Sequence, residues 1–146
     1  MTHIALFLPD LNGGGAERVM LTLANYFVRR GYRVDLVLAR AEGALLPLLP
    51  LSVRLVDLGV GWRNWGLLGL AVSATLKLTA YLRRERPDVL LSTLTGANLV
   101  AVLARLVAHN QTRSVLREAC SLRNVPSTTR RLLMKFFYSR ADRIVA

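Results

Sequence analysis

The sequence predicts an α/β fold of the doubly wound type, in which a mostly parallel sheet carries helices on both faces. Short apolar runs alternate with longer segments of helical periodicity along the chain, and most of these apolar runs are continuous. Continuous runs are typical of strands covered on both faces, and parallel strands are joined by right-handed helical crossovers. The sequence shows no internal repeat or interdomain linker, so we expect one Rossmann-like layer over residues 1–146.

Six strands and four helices account for this alternation. The predicted strands cover residues 3–9, 33–39, 53–58, 89–92, 113–117 and 142–146. The predicted helices cover residues 16–30, 66–86, 99–108 and 126–140. Gly31 and Pro87 mark the ends of the first two helices. The first helix should bury apolar residues that recur at helical spacing, namely Val19, Leu23, Tyr26 and Phe27.

The hydrophobic composition raises the question of a membrane span. Hydrophobic residues make up 53% of the chain, and residues 66–86 are the one segment of suitable length. This segment carries Lys77 near its middle, where a lysine would cost roughly 3 kcal/mol in a bilayer. Lys77 and Arg84 share one polar stripe, so we expect an amphipathic helix that covers the sheet. Cys120 is the single cysteine, which suits a reducing compartment and a cytoplasmic location.

The net charge of +11 is concentrated in the second part of the chain. Residues 61–146 hold fourteen of the 20 basic side chains and four of the nine acidic ones. Such an excess favours an anionic partner: a phosphorylated substrate, an anionic lipid or a nucleic acid. We do not expect nucleic-acid binding because the sequence contains no recognised nucleic-acid module. A basic surface that serves solubility alone is the alternative.

A glycine loop between the first strand and the first helix carries the strongest functional signal. Gly13, Gly14 and Gly15 allow a tight turn and a close approach to a ligand, and the helix amides that follow favour an anion. Ligands of such sheets bind beyond the carboxyl ends of the strands. The predicted loop at residues 93–98 and residues 117–121 lie at the same edge. A tight turn without any ligand is the alternative.

This loop matches neither of the two common nucleotide-binding motifs. Arg18 occupies the third glycine position of the dinucleotide fingerprint, and the second strand ends without the ribose-binding carboxylate. The lysine and hydroxyl residue of a phosphate-binding Walker loop are also missing.

Taken in order, several segments resemble the amino-terminal, acceptor-side domain of family-four retaining glycosyltransferases, which have the GT-B fold. They are residues 13–18 (GGGAER), 23–25, 30–37, 42–43, 53–59, 86–92 and 141–146. The resemblance covers essentially the whole chain. It implies that this domain holds the acceptor and that a separate carboxyl-terminal domain binds the nucleotide sugar.

The resemblance also implies roles for individual residues. Gly13, Gly14 and Gly15 would face the donor phosphates with their backbone, and Arg117 and Glu118 would act as catalytic residues after the fifth strand. Many members place a histidine or an acidic residue there, and the histidine is missing here. A salt-bridged strand end is the alternative for this pair. The remaining predicted substrate-binding residues are Glu17, Thr95 and Asn98. Glu17 and Arg18 could instead form a solvated first helical turn.

The resemblance predicts an acceptor-side domain of a glycosyltransferase for a surface polysaccharide. The donor would be a nucleotide sugar, the acceptor a glycan or a lipid-linked glycan, and neither cofactor nor metal is expected. His3 flanks the first strand and His109 lies at a helix end, so neither suggests a metal pair. We expect the chain to be truncated, to lack the donor-binding domain and to be inactive alone. A non-catalytic module that binds an anion or a partner is the alternative.

A peripheral membrane contact is a further expectation. Trp62 and Trp65 flank Arg63 and Asn64 ahead of the amphipathic helix, a composition that suits a membrane interface. Basic residues also surround apolar ones between 130 and 143. The hypothesis places the protein at the inner face of the cell membrane, and ordinary core-edge tryptophans with a solvated basic face are the alternative.

Overall fold

The computed structural model contains one sheet with helices on both faces. It describes residues 1–61, 66–118, 128, 131, 132, 135 and 138–145, with the side chain of Leu67 left aside. The strands are β1 (His3–Leu8), β2 (Arg33–Leu38), β3 (Arg54–Asp57), β4 (Val89–Thr93), β5 (Arg113–Arg117) and β6 (Arg143–Val145). The helices are α1 (Gly15–Arg29), α2 (Gly66–Glu85) and α3 (Thr95–Ala108), and a short 3-10 turn covers Leu46–Leu48.

All the described strand pairs are parallel, in the order β3-β2-β1-β4-β5-β6. The chain winds outward from β1 to β3 and then crosses to β4 on the other side of β1. The gap above β1 and β4 is therefore the topological switch point, where open α/β sheets bind ligands. The predicted doubly wound, Rossmann-like fold is confirmed.

The side chains of β1 point alternately to the two faces of the sheet, and both faces are covered by helices. Ile4, Leu6 and Leu8 point into a core shared with α1. Ala5 and Phe7 point to the opposite face, where α2 and α3 pack together. Successive strand residues face opposite sides of a sheet, so a continuous apolar run supplies both cores.

The predicted buried face of α1 is partly wrong. Met20, Leu21 and Ala24 are buried, whereas Val19 and Tyr26 are 37% and 49% exposed. Leu23 and Phe27 pack against the same core, as predicted, so the buried face is shifted toward Met20, Leu21 and Ala24. Small Ala24 allows α1 to approach the sheet closely, and the bulky Tyr26 ring remains at the surface, where the guanidinium of Arg30 lies 5.2 Å from its centre.

The predicted loop at residues 93–98 is mostly helical. Strand β4 extends to Thr93, and α3 begins at Thr95, so Leu94 alone makes the turn. Leu94 has φ +75°, a conformation rare for residues with a Cβ. The turn is therefore shorter than the composition of the segment suggests.

Helix α2 has the predicted polar residues at its surface. Lys77 and Arg84 are exposed, and Leu78 is fully buried. No helix within the described part of the chain combines the length and hydropathy needed to cross a membrane. Residues 62–65 and most of the predicted helix at 126–140 lie outside the described residues, although those described between 128 and 138 are helical.

Candidate functional site

Three strand ends lie side by side at the carboxyl edge of the sheet. They are the ends of β1, β4 and β5, which are neighbours in the strand order. Adjacent strands lie about 4.8 Å apart, so the ends of β1 and β5 are roughly 10 Å apart. The structure thus places the glycine loop at the same edge as Thr95, Arg117 and Glu118.

The three glycines of the loop occupy different environments. Gly13 has φ +117°, which favours glycine. At Gly14 an added Cβ would overlap the carboxylate of Glu17. Gly15 has no positive φ, and an added Cβ would meet nothing within 4 Å. The Glu17 carboxylate is the flexible end of a side chain and can move aside, so of these three positions the fold requires glycine only at Gly13.

The amino terminus of α1 has no side-chain cap. Gly14 is the N-cap and provides no side-chain hydrogen bond, because it has no side chain that could cap the helix. The first amides of a helix lack partners within the helix and carry its positive dipole end. The Glu17 carboxylate folds back over Gly14, which places a negative charge beside these amides.

Gly43 supports the glycine loop from beneath. It has φ +125°, and an added Cβ would overlap the main-chain carbonyl of Leu11. The amide of Leu11 donates to the carbonyl of Glu42 at 2.9 Å, and the amide of Leu45 donates to the carbonyl of Leu11 at 3.0 Å. The loop after β2 thereby fixes the chain just before the glycines. In the sequence, only the Glu42-Gly43 pair after the second strand points to this position.

Asn98 links the ends of β4 and β5. Its side chain is fully buried, its Oδ1 accepts a 2.7 Å hydrogen bond from Ser92 Oγ, and its Nδ2 donates to the carbonyl of Arg117 at 3.1 Å. Its predicted contact with substrate stays a prediction. In this structure Asn98 acts on the site through the main chain of Arg117.

The Glu118 carboxylate is held from two sides. Thr95 Oγ1 donates to Oε1 at 3.3 Å, and the hydroxyl of Tyr138 donates to Oε2 at 2.7 Å. Burial, together with the hydrogen bond to Glu118, raises the pKa of Tyr138 to about 12. Tyr138 was not among the predicted site residues, because nothing in the sequence marks it as a partner of Glu118.

Arg117 contacts β4 rather than Glu118. Its guanidinium donates to Thr93 Oγ1 at 3.3 Å. Within the described ranges, no ion pair joins Arg117 to Glu118, so the salt-bridged strand end is not observed there. The predicted catalytic roles of these two residues stay predictions.

The histidines lie away from this edge. His3 is buried at the start of β1, with Nε2 2.9 Å from Asp35 Oδ2, and His109 follows the end of α3. The described residues contain no group of three or more His, Cys, Asp or Glu side chains arranged to hold a metal.

A cavity of about 340 Å³ opens at the carboxyl edge of the sheet, between α2, α3 and the ends of β1 and β2. Its lining includes Pro9 and Asp10, just ahead of the glycine loop. Its walls are mainly apolar and include Phe7, Val60, Leu70, Ala74, Ala97 and Val100. Asp10 and Arg40 also line it, and both are partly exposed.

The sequence matches a known protein family. The family model described as "Glycosyl transferase 4-like domain" matches residues 14–146. No curated protein sequence gives a significant match.

Solved structures share the fold at low identity. MurG of Acinetobacter baumannii is 15% identical, with a TM-score of 0.70 over 99% of this chain and 40% of its own. The apo lipopolysaccharide outer core galactosyltransferase WaaB is 13% identical, with a TM-score of 0.72 over 99% of this chain and 39% of its own. UDP-GlcNAc 2-epimerase from Neisseria meningitidis, bound to UDP-GlcNAc, is 18% identical, with a TM-score of 0.63 over 94% and 38%.

The chain thus spans about 40% of the length of MurG and similar fractions of the other two. These similarities show that the chain has the same fold. At identities below 20% they do not show that it has the same activity. The family match extends over most of the sequence and confirms the resemblance to family-four glycosyltransferases. This chain belongs to the glycosyl transferase 4-like domain family.

Proposed function

We propose that the chain is the acceptor-side domain of a retaining glycosyltransferase that takes part in surface-polysaccharide synthesis. It would place a glycan or lipid-linked acceptor against a nucleotide-sugar donor. Most donor contacts would come from a second domain outside residues 1–146, because the similar structures are more than twice as long.

The environment of Gly15 carries this proposal. The fold itself accommodates a side chain at this position, since an added Cβ would meet nothing within 4 Å. A glycine at this position would serve a ligand that approaches the backbone closely. The uncapped amides of α1 fit the diphosphate of a nucleotide sugar, whose negative charge grows as the glycosidic bond to the diphosphate breaks.

Glu118 and Arg117 would act near the transferred sugar. A carboxylate that is held by Thr95 and Tyr138 keeps one orientation, and a fixed negative charge stabilises the positive charge that develops on the sugar ring. Arg117 would offset charge on the leaving diphosphate. These roles rest on the position of both residues at the end of β5.

Transfer assays on the longest in-frame protein that contains this chain test the proposal. We expect sugar transfer from a nucleotide sugar with retained anomeric configuration, read by NMR of the product. Gly15→Ala should lower kcat/KM at least tenfold, since about 1.4 kcal/mol of phosphate binding would be lost. Gly61→Ala is the matched control, because an added Cβ also meets open space there.

The outcome separates the two functional classes. An inverted product would contradict the retaining mechanism. Pyrophosphate binding without transfer from any nucleotide sugar would favour the non-catalytic anion-binding module. Equal activity of the Gly15→Ala protein and the control would contradict phosphate binding by the glycine loop.

A cytoplasmic location with peripheral contact at an anionic membrane is the second part of the proposal. Helix α2 exposes Leu68, Val72 and Leu76 at 80%, 52% and 61%, at intervals of four residues. Exposed Arg83 and Arg84 follow on the last turn of the same helix. An apolar stripe beside basic side chains suits insertion into the headgroup region of anionic lipids.

A further inference from the structure

We infer that the cavity between α2 and α3 receives an apolar part of the acceptor, next to the group that is glycosylated. This inference rests on the proposed function and narrows it, because it selects an acceptor with an apolar aglycone over a free glycan. The cavity is the one described above, lined by Phe7, Val60, Leu70, Ala74, Ala97 and Val100.

The chemistry of the walls argues for an apolar occupant. Side chains of this kind offer no hydrogen bonds, so a sugar placed among them would lose its hydration without compensation. An alkyl or prenyl group loses only unfavourable contact with water. Among the described lining residues, only Asp10 and Arg40 carry charge, and their partial exposure places them toward solvent.

The volume limits the length of the occupant. At about 30 Å³ for each non-hydrogen atom, the cavity volume of about 340 Å³ holds on the order of ten atoms. A medium alkyl chain or two prenyl units fit, whereas a long polyprenyl tail has to leave the cavity. Small residues on the two facing helices, Ala74 on α2 and both Gly96 and Ala97 on α3, leave this space open.

The position of the cavity connects it with the glycine loop. Asp10 lies in the turn after β1, and its Oδ1 accepts the amide of Asn12, which directly precedes the glycines, at 3.0 Å. On the other side, Gly96 follows Thr95, whose hydroxyl bonds Glu118. A polar group attached to the apolar part would thus lie at the sheet edge that also carries the glycine loop and Glu118.

Binding of n-alkyl β-glucosides to the purified chain tests the inference. Glucose and its butyl, hexyl and octyl glucosides would be titrated below their micelle concentrations, with methyl NMR signals of Ala74 and Ala97 as the readout. We expect the affinity to rise about three- to fourfold for each added methylene. Glucose itself should produce no shift of these methyl signals.

Gly96→Leu fills the cavity and should lower octyl glucoside affinity at least tenfold. An added Cβ at Gly96 meets nothing within 4 Å, and leucine favours a helix more than glycine does, so this variant should fold. Ala80→Leu is the matched control, because it adds the same side chain at an exposed position of α2. A Val72→Ser, Leu76→Ser double variant should bind octyl glucoside like the original chain.

Three results would overturn the inference: affinity independent of alkyl length, undiminished binding by the Gly96→Leu protein, or loss of binding only in the serine double variant. The last would place the ligand on the exposed stripe of α2. Pyrophosphate titrations of the same samples, read from the Gly14 and Gly15 amides, test the proposed function separately. Alkyl binding without pyrophosphate binding would support the cavity as the site of the apolar group and contradict phosphate binding by the glycine loop.

Discussion

The hydroxyl of Tyr138 donates a 2.7 Å hydrogen bond to Oε2 of Glu118, twenty positions earlier in the chain. Tyr138 is 9% exposed, and Thr95 donates to the other carboxylate oxygen. The Glu118 side chain is therefore fixed by residues from two further segments at the edge that carries the glycine loop.

Removal of this hydroxyl should weaken the fold and change its response to alkaline pH. Tyr138→Phe should lower the free energy of unfolding by about 1 kcal/mol at pH 8. The folded-state pKa of about 12 lies above the ordinary value near 10. The unfolded chain therefore loses this proton first, and stability should fall between pH 10 and about 12, less steeply in Tyr138→Phe.

Urea unfolding at pH 8, 10 and 11 measures both effects. Tyr26→Phe is a suitable control because Tyr26 is half-exposed, and its stability should change by less than about 0.5 kcal/mol. The same pH slope in the original chain and Tyr138→Phe would contradict the buried hydrogen bond.

A buried charge cluster ties β1, β2, β3 and α2 together at the other edge of the sheet. Asp35 is fully buried and accepts hydrogen bonds from Tyr81 at 2.7 Å and from Arg54, while His3 Nε2 lies 2.9 Å away. Burial raises the pKa of Asp35, but the contacts with Arg54, Tyr81 and His3 outweigh it, so the pKa is lowered. The carboxylate thus stabilises the fold above pH 4, and this contribution is lost as the pH falls through the lowered pKa.

Asp35→Asn should cost about 2 kcal/mol at pH 7, because the amide replaces one acceptor oxygen with a donor and leaves buried donors such as the Tyr81 hydroxyl without their full set of hydrogen bonds. The variant should also lose less stability than the original chain between pH 4 and pH 2. Glu42→Gln removes a carboxylate that is half-exposed and paired with Arg40, and should cost less than about 1 kcal/mol. Urea titrations across this pH range decide the matter, and equal acid sensitivity of the Asp35→Asn protein would speak against the cluster.

Local patterns in the sequence predicted the sheet well, since β1 and β5 need only a run of apolar or alternating residues between turn signals. The orientation of α1 was harder to predict. Val19 and Met20 are both apolar, and each is followed by further apolar residues at helical spacing, so either could belong to the buried face of α1. The packing of Ala24 against the sheet favours the face that contains Met20. Such a choice depends on partners that are distant in sequence.

The site shows the same limit more strongly. The glycine loop is continuous in sequence and was found there, as was the end of β5. Gly43 and Tyr138 act through contacts that exist only after folding, with Leu11 and Glu118 respectively. The one-residue turn at Leu94 was not predicted, because leucine prefers a negative φ and Leu94 has a positive one.

Two glycine substitutions should separate support of the loop from ligand binding. Gly43→Ala should lower stability by about 2–3 kcal/mol, since its φ of +125° is unfavourable for alanine and the added Cβ overlaps Leu11. Gly15→Ala should leave the melting temperature unchanged or slightly higher, because alanine favours a helix. Thermal unfolding of the two variants is the measurement, and destabilisation by Gly15→Ala would mean that the fold itself requires this glycine.

The Glu17 carboxylate should compete with a phosphate at the start of α1. It lies beside Gly14, so Glu17→Gln should raise pyrophosphate affinity about threefold at low salt, as expected for the loss of one nearby like charge in water. Asp142→Asn makes the same change in net charge near β6, at the far edge of the sheet, and should have little effect. Equal gains in both variants would show that net charge alone controls binding.

Membrane contact, if it uses α2, should depend on the stripe of Leu68, Val72 and Leu76. The Val72→Ser, Leu76→Ser double variant should bind vesicles with anionic lipid about tenfold more weakly, which corresponds to a loss of roughly 1.4 kcal/mol of apolar burial. Val19→Ser is the matched control, because Val19 is an exposed apolar residue on a helix of the opposite face. Binding should also weaken as salt rises, since the basic side chains of α2 act through screened charges. Co-sedimentation with neutral and anionic vesicles measures these effects, and equal binding to both vesicle types at low salt would rule out an electrostatic contribution.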